Sequence, residues 1–261
     1  MRADCSKAAD LQPHLIRYWL TPAAEEAPEE RDERIADVRG VYREAPRRVA
    51  VGEGVLSTDE MTGVQALERA ALGLPLRPGK VERREFEYIR HGTLSFIINF
   101  DVVTGEVVCP SGGPTRTEAD FLAHIRSTVE SDPDVTRWHS VVDNLNTHCS
   151  ASLVRYVAEI SGITHDLGIK DKCGVLRSMA TRSAFLADGA HKVVFHYTPK
   201  HASWLNQVEP WLSILVRKLL RRGNFISTDD LRDKVLAFIA YFNRTMAKPF
   251  KWTYLGKPLH A

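Results

Sequence analysis

Hydrophobic residues change their spacing along this chain near residue 49. Before that point the apolar anchors are few, chiefly Leu15, Ile16, Trp19 and Leu20, and the run 21–34 carries six acidic and two arginine side chains. Residues 1–48 therefore read as an N-terminal appendage, with linker or exposed-helix composition over 21–34, because so little apolar surface cannot offset the entropy of ordering. From Val49 onward, short runs rich in β-branched residues predict strands over 49–58, 92–103 and 106–109, the last two joined by a Thr104-Gly105 turn. Helical spacing then takes over: Phe121, Leu122, Ile125 and Val129 predict a helix over 118–130, capped by Thr115 or Thr117. A strand over 139–142 and a helix over 151–160 follow. Glycines 162, 168, 174 and 189 interrupt the next stretch, whose best helical part is 175–186, and 192–197 is a strand closed by Pro199. Two amphipathic helices, over 204–221 and 228–243, complete the series.

Three strands in a meander followed by alternating helices and strands require a mixed sheet with helices against its faces, an α/β class. This order resembles that of the ribonuclease H-like fold. It places the first and fourth strands side by side and parallel near the centre of the sheet.

Composition adds exclusions. A chain of 261 residues with 44% apolar and 26% charged residues can bury one full core, and no stretch approaches a membrane span or a signal core. A cytoplasmic protein is the expectation. The cysteines at 5, 109, 149 and 173 form no Cys-x-x-Cys pair, so neither a zinc ribbon nor a disulfide framework is indicated. The overall charge of +2 conceals an asymmetry: residues 1–50 carry −1, 51–194 carry −4, and 195–261 carry +7. A basic C-terminal quarter suits a polyanionic partner.

The candidate chemistry lies in carboxylates that the expected topology would gather. Asp59 follows the first strand in Ser57-Thr58-Asp59-Glu60, Asp143 follows the fourth in Val141-Val142-Asp143-Asn144, and Glu209 sits beside the apolar stripe of a late helix. Converging carboxylate oxygens are the donors that hard divalent cations require, and two such cations can activate a nucleophile and stabilise a leaving oxygen in phosphodiester cleavage. Glu60 should point to the opposite face if the strand continues.

These same residues carry a family resemblance. His196-Tyr197-Thr198-Pro199 with Ser203-Trp204-Leu205-Asn206-Gln207-Val208-Glu209 is similar to the third-carboxylate block of insertion-sequence transposases related to the Tc/mariner group. Val142-Asp143-Asn144 with Thr147-His148 resembles the second block, and Thr58-Asp59-Glu60 with Gln65-Ala66-Leu67 the first. Arg90-His91-Gly92-Thr93 and the stretch from Asn243 to Thr253 also match. The resemblance runs from about residue 50 to the end, so 49–261 is expected to be a ribonuclease H-like catalytic domain. It implies a phosphoryl transferase acting on DNA with two Mg²⁺ or Mn²⁺ ions, Asp59 bridging both and Asp143 and Glu209 each holding one. A homodimer is expected because two transposon ends must be cut together.

Two departures qualify the match. Asp143 and Glu209 are 66 residues apart, wider than in many relatives, which implies an insert at about 161–190. Upstream helix-turn-helix modules do not fit into the first 48 residues, and Leu11 to Leu20 resembles the tail of one. The rival readings are a truncated DNA-binding remnant without catalysis, or another ribonuclease H-like nuclease. Asn144, His148 and Asn206 are candidates to support the carboxylates, while Lys200, His201, Arg217, Lys218, Arg221 and Arg222 are candidates for phosphate contacts. Trp204 and Trp211 could stack on bases or belong to the core.

Overall fold

Alternation along the first strand decides which residues reach which side of the sheet. In a computed structural model, which describes residues 28–71, 73–83, 85–200 and 202–249, strand β1 (Glu53–Arg69) pairs antiparallel with β2 (Tyr88–Asp101), which pairs antiparallel with β3 (Val107–Gly113). On its other side β1 lies parallel to β4 (Arg137–Val142), and β4 parallel to β5 (Val193–Tyr197), giving the order β3-β2-β1-β4-β5. The mixed sheet and the central parallel pair agree with the sequence reading.

Leu56 and Val142 pack into a core with α2 (Glu118–Ser131), α3 (Ala151–Ile160) and α4 (Met179–Leu186), through Phe121, Leu153 and Leu186. Val55 and Val141 face the other way, against α1 (Pro28–Ala50). On that second face, α5 (Val208–Leu215) and α6 (Thr228–Thr245) cover Phe96, Ile98 and Phe100 of β2. Successive side chains of a strand point to opposite faces, so Ser57 and Asp59 follow Val55 to the α1 and α5 side, and Thr58 and Glu60 follow Leu56 to the α2 side.

Three expectations need correction. The first strand does not stop at Thr58 but runs to Arg69, because Val64 and Ala66 regain a buried face after a bulge between Met61 and Val64. Gly63 supplies the left-handed backbone there (φ 65°). The late helix does not start at 204. Pro210 has no N–H for a bond back to residue 206, so Ser203–Leu205 is a separate 3-10 turn and α5 begins at Val208, with Pro210 in its first turn. The chain continues beyond α5 as a π-helical turn, Val216–Leu220.

The third correction concerns the appendage. Its boundary at 48 falls inside α1, whose Ile35, Val38, Val41, Tyr42 and Ala45 are buried and share a core with Val55, Val102, Val141 and Leu205. A polar clasp reinforces this packing. Asp37 Oδ2 lies 2.8 Å from His196 Nδ1, His196 Nε2 lies 3.0 Å from His139 Nδ1, and Arg48 donates to His139 Nε2 at 2.9 Å and to Glu53 at 3.2 Å. Burial, then the Arg48 charge, depress the His139 pKa to about 4, so that ring stays neutral. The segment resembling a helix-turn-helix tail lies outside the described residues. The expected insert holds a tight turn closed between Ile169 and Cys173 and then α4, and it contributes Leu167, Leu176 and Leu186 to the main core.

Candidate active site

The parallel register brings the first two carboxylates level. Ser57 pairs with Val141, and two residues further along each strand stand Asp59 and Asp143. Glu209 enters from the first turn of α5, where a carboxylate is favoured by the helix dipole. All three line one cavity of about 540 Å³, with Glu60, Thr62, Ser203, Ser213 and Arg217 as further polar residues of its wall.

Each carboxylate is held differently. Asp59 Oδ1 accepts a bond from the Glu60 N–H at 2.7 Å, and its Oδ2 accepts from Asn206 Nδ2 at 3.3 Å. Asn206 is buried, donates also to the Thr58 carbonyl at 3.0 Å, and accepts the Ser57 hydroxyl; Ser57 Oγ in turn accepts the Val208 N–H at 2.9 Å. Thus β1 and the start of α5 are tied together beside Asp59. Asp143 Oδ1 lies 2.8 Å from His148 Nδ1 and accepts the Leu145 N–H at 3.1 Å. The other nitrogen of the fully buried His148 ring lies 3.1 Å from Glu60 Oε1.

The electrostatics follow from burial and from like charges. Desolvation raises the Asp59 pKa to about 7; the bond from Glu60 N–H opposes this, while the charges of Asp143, Glu209 and Glu60 add to it. Asp143 moves the opposite way: burial would raise it, but the His148 bond and charge hold it below the usual carboxylate range. For His148 burial would favour the neutral ring, yet its bonds to Asp143 and Glu60 raise its pKa to about 9. At neutral pH the ring is an imidazolium between two carboxylates.

The donor set fits a hard divalent cation: Asp59, Asp143 and Glu209 offer carboxylate oxygens to one pocket, Glu60 stands beside them, and burial, then the like charges of Asp143, Glu209 and Glu60, hold Asp59 back from ionising. Among the described residues no three His, Cys, Asp or Glu side chains are drawn together at ligating geometry.

The supporting candidates divide. Asn206 and His148 contact the carboxylates directly, as above. Asn144 does not: it donates to the Thr198 carbonyl at 2.6 Å, tying the ends of β4 and β5, and lines a separate cavity between α1 and α4. Of the basic candidates, Arg217 reaches the cavity from the π-helical turn, whereas Lys218, Arg221 and Arg222 are exposed outside it. Lys200 is exposed in the turn before the 3-10 segment, and His201 lies outside the described residues. Trp211 is core, edge-on to Phe242 with ring centres 5.9 Å apart, while Trp204 is half exposed. Sequence reasoning missed Ser57, the partner of Asn206, and Arg116, whose charge acts on Asp143. Ser57 stands two residues before Asp59 and so shares its face, a signal that alternation supplies.

A five-stranded mixed sheet with one carboxylate within the first of its central parallel strands and another just past the end of the second is a ribonuclease H-like arrangement. Residues 55–232 match the family described as DDE superfamily endonuclease. The chain belongs to that family. Similar solved structures include the Mos1 mariner paired end complex with Mn, at a TM-score of 0.52 and 10% identity over 90% of this chain and 62% of that one. Another is the Mos1 Strand Transfer Complex, at 0.49 and 12% over 87% and 58%. At such identities the first likeness is one of fold, and this chain spans less than two thirds of either. No curated protein is a significant sequence match. No helix among the described residues is long and apolar enough to cross a membrane.

Proposed function

We propose that this chain is the catalytic domain of a DNA transposase, cutting phosphodiesters at transposon ends and transferring the freed strands. The observation that carries the reading is the shared cavity of Asp59, Asp143 and Glu209, delivered by two parallel strands and one helix in a chain of the endonuclease family. These three side chains would hold two Mg²⁺ or Mn²⁺ ions, which when bound activate the attacking hydroxyl and neutralise charge on the leaving oxygen. The chain's own contribution is positioning. Asn206 orients Asp59, His148 orients Asp143, and the first turn of α5 presents Glu209. Arg217 offers a positive charge to a DNA phosphate at the rim, a contact that adds affinity without reading sequence.

Plasmid nicking by the whole chain with Mn²⁺ at low salt tests this. Metal-dependent nicking is expected, with Asp59→Ala, Asp143→Ala and Glu209→Ala each reducing it by about a hundredfold to a thousandfold, as loss of a charge-stabilising group does in other enzymes. Strand joining as well as cutting would separate a transposase from a plain nuclease. Nicking that survives all three substitutions would sink the site assignment.

A homodimer is part of the proposal. The distal halves of β1 and β2 and the segment joining them form a ribbon closed by a turn at Arg77-Pro78-Gly79-Lys80. It exposes Leu76 and Val81 at 75% each and Phe86 at 81%. Large apolar side chains left exposed along this ribbon support an interaction surface, and a second copy is the occupant that joint cutting of two ends requires. Sedimentation velocity should show a dimer that becomes a monomer in the Leu76→Glu, Phe86→Glu double variant; a wild-type monomer would rule the assignment out.

A further inference from the structure

Neighbouring residues of β1 reach opposite faces of the sheet and still converge on one site. Asp59 enters the carboxylate cavity directly. Glu60 also borders that cavity, but its side chain points to the α2 side, where it is 2% exposed and meets the His148 ring, itself tilted at 42° against Phe121 with ring centres 4.3 Å apart. The ring is also fixed through its backbone, whose carbonyl accepts the Tyr197 hydroxyl at 3.0 Å. With Nε2 on Glu60 at 3.1 Å and Nδ1 on Asp143 Oδ1 at 2.8 Å, neither ring nitrogen faces the cavity. His148 therefore has no nitrogen to offer water or phosphate. Asp143 Oδ1 is already committed to His148 and the Leu145 N–H, so Oδ2 is the oxygen left for the cavity.

We propose that Glu60 and His148 are positioning residues, a buried carboxylate–imidazole pair that restrains one oxygen of Asp143 and so presents the other, in fixed register with Asp59, to the catalytic cation. This rests on the carboxylate-site reading above. It makes one dipeptide of β1 responsible for both strand-borne carboxylates: Asp59 by direct presentation, and Asp143 through the residue beside it. Outer partners that orient a metal ligand typically change metal affinity by about 10–100-fold when removed, which sets the size of the effect to look for.

The test is Mn²⁺ binding by the whole chain, read from the free-ion electron paramagnetic resonance signal, with thermal midpoints measured alongside. In His148→Asn the amide nitrogen can replace Nδ1 and keep the Asp143 bond; in His148→Gln it replaces Nε2 and keeps Glu60 instead. Affinity is expected to fall about 10–100-fold in His148→Gln and to recover largely in His148→Asn. Such an order cannot come from lost packing alone, since both variants lose the ring. Glu60→Ala, which leaves the ring in place, should weaken binding, and Glu60→Gln, which keeps an acceptor for Nε2, should restore most of it. This second pair decides the matter if His148→Gln does not fold. Glu60→Gln as poor as Glu60→Ala would make Glu60 itself a ligand and overturn the positioning role. Wild-type affinity in all four variants, with Asp143→Ala alone defective, would also overturn it while leaving the site reading intact. Wild-type affinity in Asp143→Ala would bring down the site reading itself.

Discussion

Asp59→Asn is expected to abolish cleavage and, in the absence of divalent cation, to make the fold more stable. The Asp59 pKa is raised to about 7 from an ordinary 3.8, chiefly by burial, with the charges of Asp143, Glu209 and Glu60 adding to it against the Glu60 N–H bond. Between those values the folded chain keeps a proton that the unfolded chain has released, so raising the pH through this window weakens the fold, and above about 7 the loss is complete. The difference between about 7 and 3.8 corresponds to about 4 kcal/mol; discounting for solvent at the cavity mouth and for the acceptor oxygen that the amide gives up toward the Glu60 N–H or Asn206, a gain of about 1–3 kcal/mol remains for the neutral amide. Denaturant unfolding in EDTA at pH 8 should therefore rank Asp59→Asn above wild type, with the gap closing toward pH 4. Saturating Mn²⁺ should narrow or reverse that ranking, because a ligand that binds the folded wild type stabilises it by mass action. A variant less stable than wild type at pH 8 without cation would mean that Asp59 is not under the strain described. The result would show stability given up for function, since the carboxylates that repel one another are the ones a cation requires.

How much of this was legible in the sequence depends on the range of the interaction. The meander followed by alternating elements placed β1 beside β4, and the positions of Asp59 and Asp143 in their strands then required nothing beyond alternation. The length of β1 was not legible, because Met61-Thr62-Gly63 breaks the alternation where the bulge lies, and the buried face resumes at Val64. The role of α1 was hidden differently. Its apolar positions Ile35, Val38, Val41, Tyr42 and Ala45 do follow helical spacing, but they begin immediately after a strongly acidic run that dominated the composition. The fold keeps both features, with Glu29 and Glu30 exposed and the apolar stripe against the sheet. The pairing of Glu60 with His148 spans 88 residues and joins β1 to a turn after β4. No local pattern encodes it, though the placing of Glu60 on the face opposite Asp59 follows from alternation.

Asn206 provides the second large effect, because it is the joint between Asp59 and the helix that carries Glu209. Its amide nitrogen serves Thr58 O and Asp59 Oδ2, and its oxygen accepts the Ser57 hydroxyl, whose oxygen takes the Val208 N–H at the start of α5. At 1% exposure, its removal leaves buried polar groups of both β1 and α5 without partners. Unpaired buried groups of this kind cost about 1–3 kcal/mol each, so Asn206→Ala is expected to lose about 2–4 kcal/mol in denaturant unfolding, well above a surface substitution. Cleavage should fall by about a hundredfold, the loss that misplacing a catalytic group by an ångström can cause. Asn206→Asp separates the geometric and electrostatic parts. It keeps the size and the acceptor for Ser57 but replaces the donor to Asp59 with a second carboxylate, which should push the Asp59 pKa further up and stiffen the requirement for Mn²⁺. Excess Mn²⁺ should then recover more activity in Asn206→Asp than in Asn206→Ala, since added cation offsets repulsion but cannot rebuild the tie between β1 and α5. Equal recovery of both variants would mean that Asn206 acts on Asp59 alone and that Glu209 is positioned independently of it.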